Sequence, residues 1–120
     1  MPLLESRRPS NNYAHCLLTL QRYAEVKSLL RKTKPVARRV LGEGHRITLK
    51  IRWTYAEALY KDDGATLDDL REAVTTLDET ARIARRVLGS AHPVVRSIEH
   101  HLPISRAMLR AREAHPSGSS

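Results

Sequence analysis

The chain has little of several residue types that define common protein classes. It contains one cysteine, Cys16, which excludes an internal disulfide, and aromatic residues make up only 4% of it, with no phenylalanine. Disulfides are rare in reducing compartments, so we expect a cytoplasmic protein. No apolar run approaches the ~20 residues that span a bilayer, and residues 1–10 lack the apolar stretch of a secretory signal, so we expect no membrane association.

Residues that carry catalysis or hold metals are present, but they are not arranged for either task. The sequence has no Gly-rich loop, no pair of acids placed for hydrolysis and no Cys-x-x-Cys or His-x-x-x-His spacing. Cys16 and His15 are adjacent, as are His100 and His101, and adjacent side chains on a helix point about 100° apart. We therefore expect a non-enzyme with no catalytic residue, no metal and no cofactor.

The chain does contain an internal repeat. The heptapeptide V-A-R-R-V-L-G at 36–42 returns as I-A-R-R-V-L-G at 83–89, and a histidine follows each final glycine after three residues, at His45 and His92. Self-similarity on this scale is typical of stacked helical hairpins. We interpret His45 and His92 as structural residues at equivalent helix starts.

The spacing of the repeated residues indicates that the second repeat contains an insertion. Tyr13 and Tyr55 correspond at a distance of 42 residues, whereas the two heptapeptides lie 47 residues apart. The five extra residues are best placed at 62–66, which read D-D-G-A-T between two helical patterns. A surface loop tolerates such growth because its closure entropy rises slowly with length.

Apolar spacing of three and four residues predicts helices and no strands. We expect five helices, at about 10–20, 22–41, 46–61, 66–88 and 93–113. Gly42 and Gly89 end the second and fourth helices, since glycine readily takes the left-handed conformation that follows a helix end. The apolar stripes include Val40, Leu41 and Val87, which we expect to be buried.

Two prolines interrupt these patterns. Pro35 removes a backbone donor and clashes with the preceding turn, which predicts a kink or break near residues 33–34. Pro103 predicts a kink near residues 100–101 for the same reason.

Two linked segments carry a resemblance to a known family. R-Y-A-E-V-K-S-L-L-R at 22–31 and R-V-L-G-S-A-H-P at 86–93 resemble the tetratricopeptide repeat, in the longer form found in kinesin light chains. The resemblance implies an all-α solenoid of about two and a half antiparallel helix pairs in a right-handed superhelix. Its units would be repeat one at 10–45, repeat two at 46–92 and a capping helix at 93–113, between disordered ends at 1–9 and 114–120.

The resemblance also implies a function, namely a non-catalytic protein–protein interaction module that binds a peptide or partner in a concave groove. By position, that groove would present Asn12, His15, Lys50, Trp53, Glu57, Tyr60 and Lys61. Trp53 could instead pack against the neighbouring repeat. Stacked repeats share their cores and about three are usually needed, so with two and a half repeats we expect a marginally stable monomer, self-association or further repeats in a longer array.

Positive charge is concentrated near the start of the chain. Residues 1–42 hold nine Lys and Arg against two Glu. The basic patch consists of Lys27, Arg31, Lys32, Lys34, Arg38 and Arg39. We interpret it chiefly as a solvated convex face. The alternative is a nucleic-acid or acidic-surface binder working through residues 27–39, which the lack of interleaved aromatics disfavours for nucleic acid.

Overall fold

The structure, a computed structural model, describes residues 22–114. These residues form four α-helices: α1 (Tyr23–Leu41), α2 (Arg46–Lys61), α3 (Leu67–Leu88) and α4 (Pro93–Ala114). No strand occurs between residues 22 and 114. The all-α helical-repeat fold is thereby confirmed for this part of the chain. The helix expected at 10–20, with Asn12, His15 and Cys16, lies outside the described residues.

The helices pack in chain order, with α2 at the centre. Each helix contacts the next one along the chain, and α2 also contacts α4. Short connections make consecutive helices antiparallel neighbours. Helices α2 and α3 form one such hairpin, and α4 returns beside it so that it contacts both α3 and α2. The right-handed superhelix remains a prediction.

The junctions before α2 and α4 repeat in three dimensions. The Gly42 amide donates to the Arg38 carbonyl at 3.0 Å, and the Gly89 amide donates to the Arg85 carbonyl at 3.0 Å. The rings of His45 and His92 then each accept, at Nδ1, a 3.1 Å hydrogen bond from the amide two residues on. The interpretation of these histidines as structural residues at helix starts is confirmed.

The backbone conformation of Gly42 and Gly89 differs from the left-handed helical one that we expected. Gly42 has φ 93° and ψ 157°, and Gly89 takes almost the same values. This is the extended region at positive φ, which is essentially confined to glycine, rather than the left-handed helical region. The next helix begins four residues after each glycine, at Arg46 and at Pro93.

The core lies along α2, whose buried residues face both α1 and α3 as well as α4. Its central hydrophobic side chains are Leu49, Ile51, Tyr55, Leu59 and Tyr60. Opposite them α3 contributes alanines at 73, 81 and 84, all fully buried. Small side chains on α3 let the helices approach closely, and this allows large residues on α2 to fill the space between them.

Three residues expected in the core are exposed. Val40 is 68%, Val87 51% and Leu41 39% exposed, so their predicted burial is wrong. All three lie in the last turn of α1 or α3. Val87 lies against Gly44, in the loop after α1. Helical periodicity continues to the helix end, but the neighbouring helix does not cover that last turn.

The break expected at Pro35 does not occur, because α1 runs unbroken from Tyr23 to Leu41. Leu30 and Ala37, on either side of Pro35, are buried against the rest of the core. The Thr48 hydroxyl of α2 also donates to the Ala37 carbonyl at 3.3 Å. Packing on α2 therefore holds the helix through a residue that its backbone chemistry disfavours. Helix α4 likewise continues through Pro103.

The loop at 62–66 is held at both ends. The Asp62 carboxylate accepts from the Gly64 amide and from Lys27 Nζ, each at 3.0 Å. The Gly64 bond and then Lys27 lower the pKa of Asp62. At the other end, Thr66 and Asp69 form a reciprocal capping box that starts α3. These contacts fix the path from α2 to α3.

Candidate functional site

Four of the five residues predicted for the groove on α2 gather around one histidine of α4. Trp53 and Tyr60 place their rings 6.1 Å and 5.9 Å from the ring of His101, measured between centroids. The Tyr60 hydroxyl hydrogen-bonds to His101 Nδ1. His101 Nε2 lies 3.7 Å from Glu57 Oε1, and the other oxygen of Glu57 accepts from Lys61 at 2.6 Å. These five residues are called the His101 cluster.

Much of the His101 cluster is inaccessible. Tyr60 is 1% exposed and Glu57 9% exposed, because α4 covers them. Trp53 is half-buried, whereas Lys50 and Lys61 are exposed. The structure therefore places Glu57 and Tyr60 in the interface between α2 and α4, and leaves Lys50, Lys61 and an edge of Trp53 at the surface. Asn12 and His15 lie outside the described residues.

The electrostatics of the His101 cluster favour uncharged rings. Burial, followed by the charges of Lys61 and His100, lowers the pKa of His101, and the Glu57 carboxylate opposes this. Burial raises the pKa of the Tyr60 phenol. A phenol that stays protonated can donate to Nδ1, which leaves the Nε2 proton directed at Glu57. The arrangement fits a neutral His101 that links α4 to α2.

Sequence reasoning did not assign a role to His101. A usable signal was present, since His101 follows Ile98 by three residues and so lies on the same buried stripe of α4. What the sequence could not show is which residue of α2 it meets.

A second site is a concave surface between α1 and α2, which we call the basic pocket. Its volume is about 370 Å³. The lining residues come from three helices: Arg31, Lys34, Pro35 and Arg38 of α1, Arg52 and Tyr55 of α2, and Glu72 of α3. Among the described residues, four cations and one carboxylate thus line this space.

The floor of the basic pocket is a tyrosine. Lys34 Nζ lies 4.0 Å from the centroid of the Tyr55 ring, and the Arg31 guanidinium carbon lies 6.0 Å from it. Both distances are within the range of cation–π attraction. The Tyr55 hydroxyl donates to Glu72 at 2.9 Å. Burial, with a further contribution from Arg52, Arg31 and Arg38, lowers the pKa of Lys34 against the opposing charge of Glu72.

The structure divides the predicted basic patch. Arg31, Lys34 and Arg38 line the basic pocket, and Lys27 forms an ion pair with Asp62 instead. Lys32 and Arg39 are exposed and do not line it. Arg52 was not predicted, although it lies three residues before Tyr55 on the same helix. Its guanidinium reaches Glu79 at 3.1 Å and Glu43 at 3.7 Å.

Two further features of the described residues bear on the class of protein. Between residues 22 and 114, no three His, Cys, Asp or Glu side chains come together as a metal site. Within the same range, none of the helices has the length and apolar character needed to traverse a bilayer.

Comparison with known families supports the class that the fold suggests. Residues 65–94 match the tetratricopeptide repeat family model. The match covers the capping box, all of α3, the Gly89–His92 junction and the start of α4. It supports a tetratricopeptide repeat protein. No curated protein and no solved structure matches the chain.

Proposed function

We propose that this chain is a non-catalytic protein–protein interaction module, of the kinesin-light-chain-like type and located in the cytoplasm. Tetratricopeptide repeats generally mediate protein–protein interactions. The repeated junctions at Gly42–His45 and Gly89–His92 and the family match to residues 65–94 support this class. The domain would run from 10 to 113, as repeat one, repeat two and a capping helix.

The partner would bind on the face where α2 and α4 meet. The observation that supports this location is a half-buried Trp53 between two exposed lysines, Lys50 and Lys61. Tryptophan is enriched among residues that dominate binding energy, because its large ring excludes much water on contact. Glu57 and Tyr60 would support that surface from beneath rather than touch the partner.

The test is affinity capture of partner proteins with wild-type chain and with Trp53→Ala. We expect the variant to lose most of the captured partner, since removal of a central aromatic contact commonly costs at least about 2 kcal/mol of binding free energy. Leu88→Ala is the control, because it truncates a half-buried side chain at the end of α3. Equal capture by Trp53→Ala and the wild type would contradict this location.

A further inference from the structure

The proposed binding face between α2 and α4 gives no role to the charged residues of the basic pocket. Arg31, Lys34 and Arg38 of α1 line the same space as Arg52 of α2. Within the part of the chain that the structure describes, Arg31, Lys34 and Arg38 form no ion pair, whereas Arg52 contacts two glutamates. Like charges held this close repel one another, so an anion placed among them would relieve that repulsion.

We infer that the basic pocket binds an acidic segment of a partner protein through its Asp or Glu carboxylates. The inference rests on the proposed function, since it names the chemistry of a partner and places a second contact between α1 and α2, away from the α2–α4 face. Arginine matches carboxylate geometry with paired donors, and Lys34 adds a point charge from the side of the tyrosine floor.

The geometry favours an acidic peptide over a nucleic acid. A duplex is bound through many phosphate contacts along an extended basic surface. Here Lys27 is paired with Asp62, and only three of the six patch residues line the pocket. A single strand needs exposed aromatic rings for base stacking. Tyr55 is 1% exposed and lies beneath Lys34, so it offers no such surface.

Glu72 shapes the selectivity of the pocket. Its carboxylate accepts the Tyr55 hydroxyl and faces the same space as Lys34. It offsets part of the positive potential and opposes the lowering of the Lys34 pKa by burial. An incoming carboxylate must therefore avoid the α3 side and approach from Arg31 and Arg38.

The experiment measures binding of a fluorescent glutamate-rich peptide to the full chain by anisotropy, with a glutamine-substituted peptide as the uncharged probe. The pocket variant is Lys34→Gln with Arg38→Gln. The control variant is Lys32→Gln with Arg39→Gln, which removes the same charge from the same helix outside the pocket. Arg38 and Arg39 both lie in the last turn of α1, so effects on the helix dipole are matched as well.

We expect the pocket variant to bind the acidic peptide about tenfold more weakly, the loss of about one charge-assisted hydrogen bond. The control variant should bind within about twofold of the wild type, because screened surface charges contribute little. The inference would be overturned if both variants bound the acidic peptide equally weakly, or if both bound it as tightly as the wild type. Tighter binding of single-stranded RNA than of the peptide, with the same dependence on Lys34 and Arg38, would also overturn it.

A second variant keeps the test decisive if the pocket variant folds poorly. Glu72→Gln retains an acceptor for Tyr55 but removes the one carboxylate that residues 22–114 contribute to the pocket. It should strengthen acidic-peptide binding severalfold, and weaker or unchanged binding would contradict the inference. Failure of the wild type to bind the acidic peptide refutes the pocket alone, since Trp53-dependent capture would still stand.

Discussion

At the scale of single residues, the His101 ring links α4 to several side chains of α2. His101 faces Glu57, Tyr60, Lys61 and the ring of Trp53 on α2, with His100 beside it on α4. Burial lowers its pKa in the folded chain below the ordinary 6.5. The unfolded chain therefore binds more protons than the folded chain between the two pKa values.

This difference predicts that the chain is less stable in mild acid. The contribution of His101 is fully present above pH 6.5 and is lost as the pH falls through the lower folded pKa. Thermal unfolding followed by circular dichroism should show a lower midpoint at pH 5 than at pH 7.5, because His101 takes up a proton more readily in the unfolded chain. His101→Gln should show a smaller decrease, and His100→Gln should fall between it and the wild type, because the charge of His100 contributes to the lowered pKa of His101. The same decrease in all three proteins would show that other groups cause it.

At the scale of elements, α1 tolerates a proline in its interior. Pro35 is exposed, so its ring contributes little packing. Its missing N–H leaves the Arg31 carbonyl without its helical donor. Buried residues before and after it on the same helix outweigh that loss.

Pro35→Ala should therefore stabilise the chain. Restoring the helical hydrogen bond and removing the ring clash should raise the free energy of unfolding by about 1–3 kcal/mol. Pro93→Ala is the matched control, because Pro93 occupies the first position of α4, where no helical hydrogen bond is lost. Chemical denaturation of the two variants tests this. A decrease in stability for Pro35→Ala would mean that the ring itself supports the basic pocket.

At the scale of the whole molecule, stability depends on helices that share one core. Leu77 of α3 is fully buried within this core. Helix α3 contacts both α2 and α4, so a cavity at this position weakens the packing of α3 against both helices. Stacked repeats spread such a defect to their neighbours because each unit is stabilised by the next.

Leu77→Ala should lower the free energy of unfolding by about 2–5 kcal/mol, the usual range for a buried leucine. Met108→Ala removes a comparable side chain that is 39% exposed on α4, and it should cost much less. Urea denaturation followed by circular dichroism compares the two. Similar losses for both variants would indicate that α4 contributes as much to the core as α3 does.

The order of helices and their ends follows from the sequence alone. Helical periodicity, the glycines at 42 and 89, and the histidines that begin α2 and α4 act within one or two turns, so local chemistry is sufficient to predict them. The repeat in the sequence likewise predicts the repeated junctions, because identical local signals produce the same backbone path. Only tertiary structure could show that α1 continues through Pro35 or that Val40 and Val87 are exposed, since both depend on where a neighbouring helix lies.

The residues that form the candidate sites also come together only through tertiary packing. Residue type and spacing indicated Trp53 and the basic residues of α1, but not which partners they would meet. Tyr60 and His101 are 41 residues apart in the chain, and only the packing of α2 on α4 brings them together. The basic pocket likewise needs α1, α2 and α3 in place before its charges converge. Local signals determine the helices of this protein, whereas polar clusters between helices depend on distances that only the assembled fold defines.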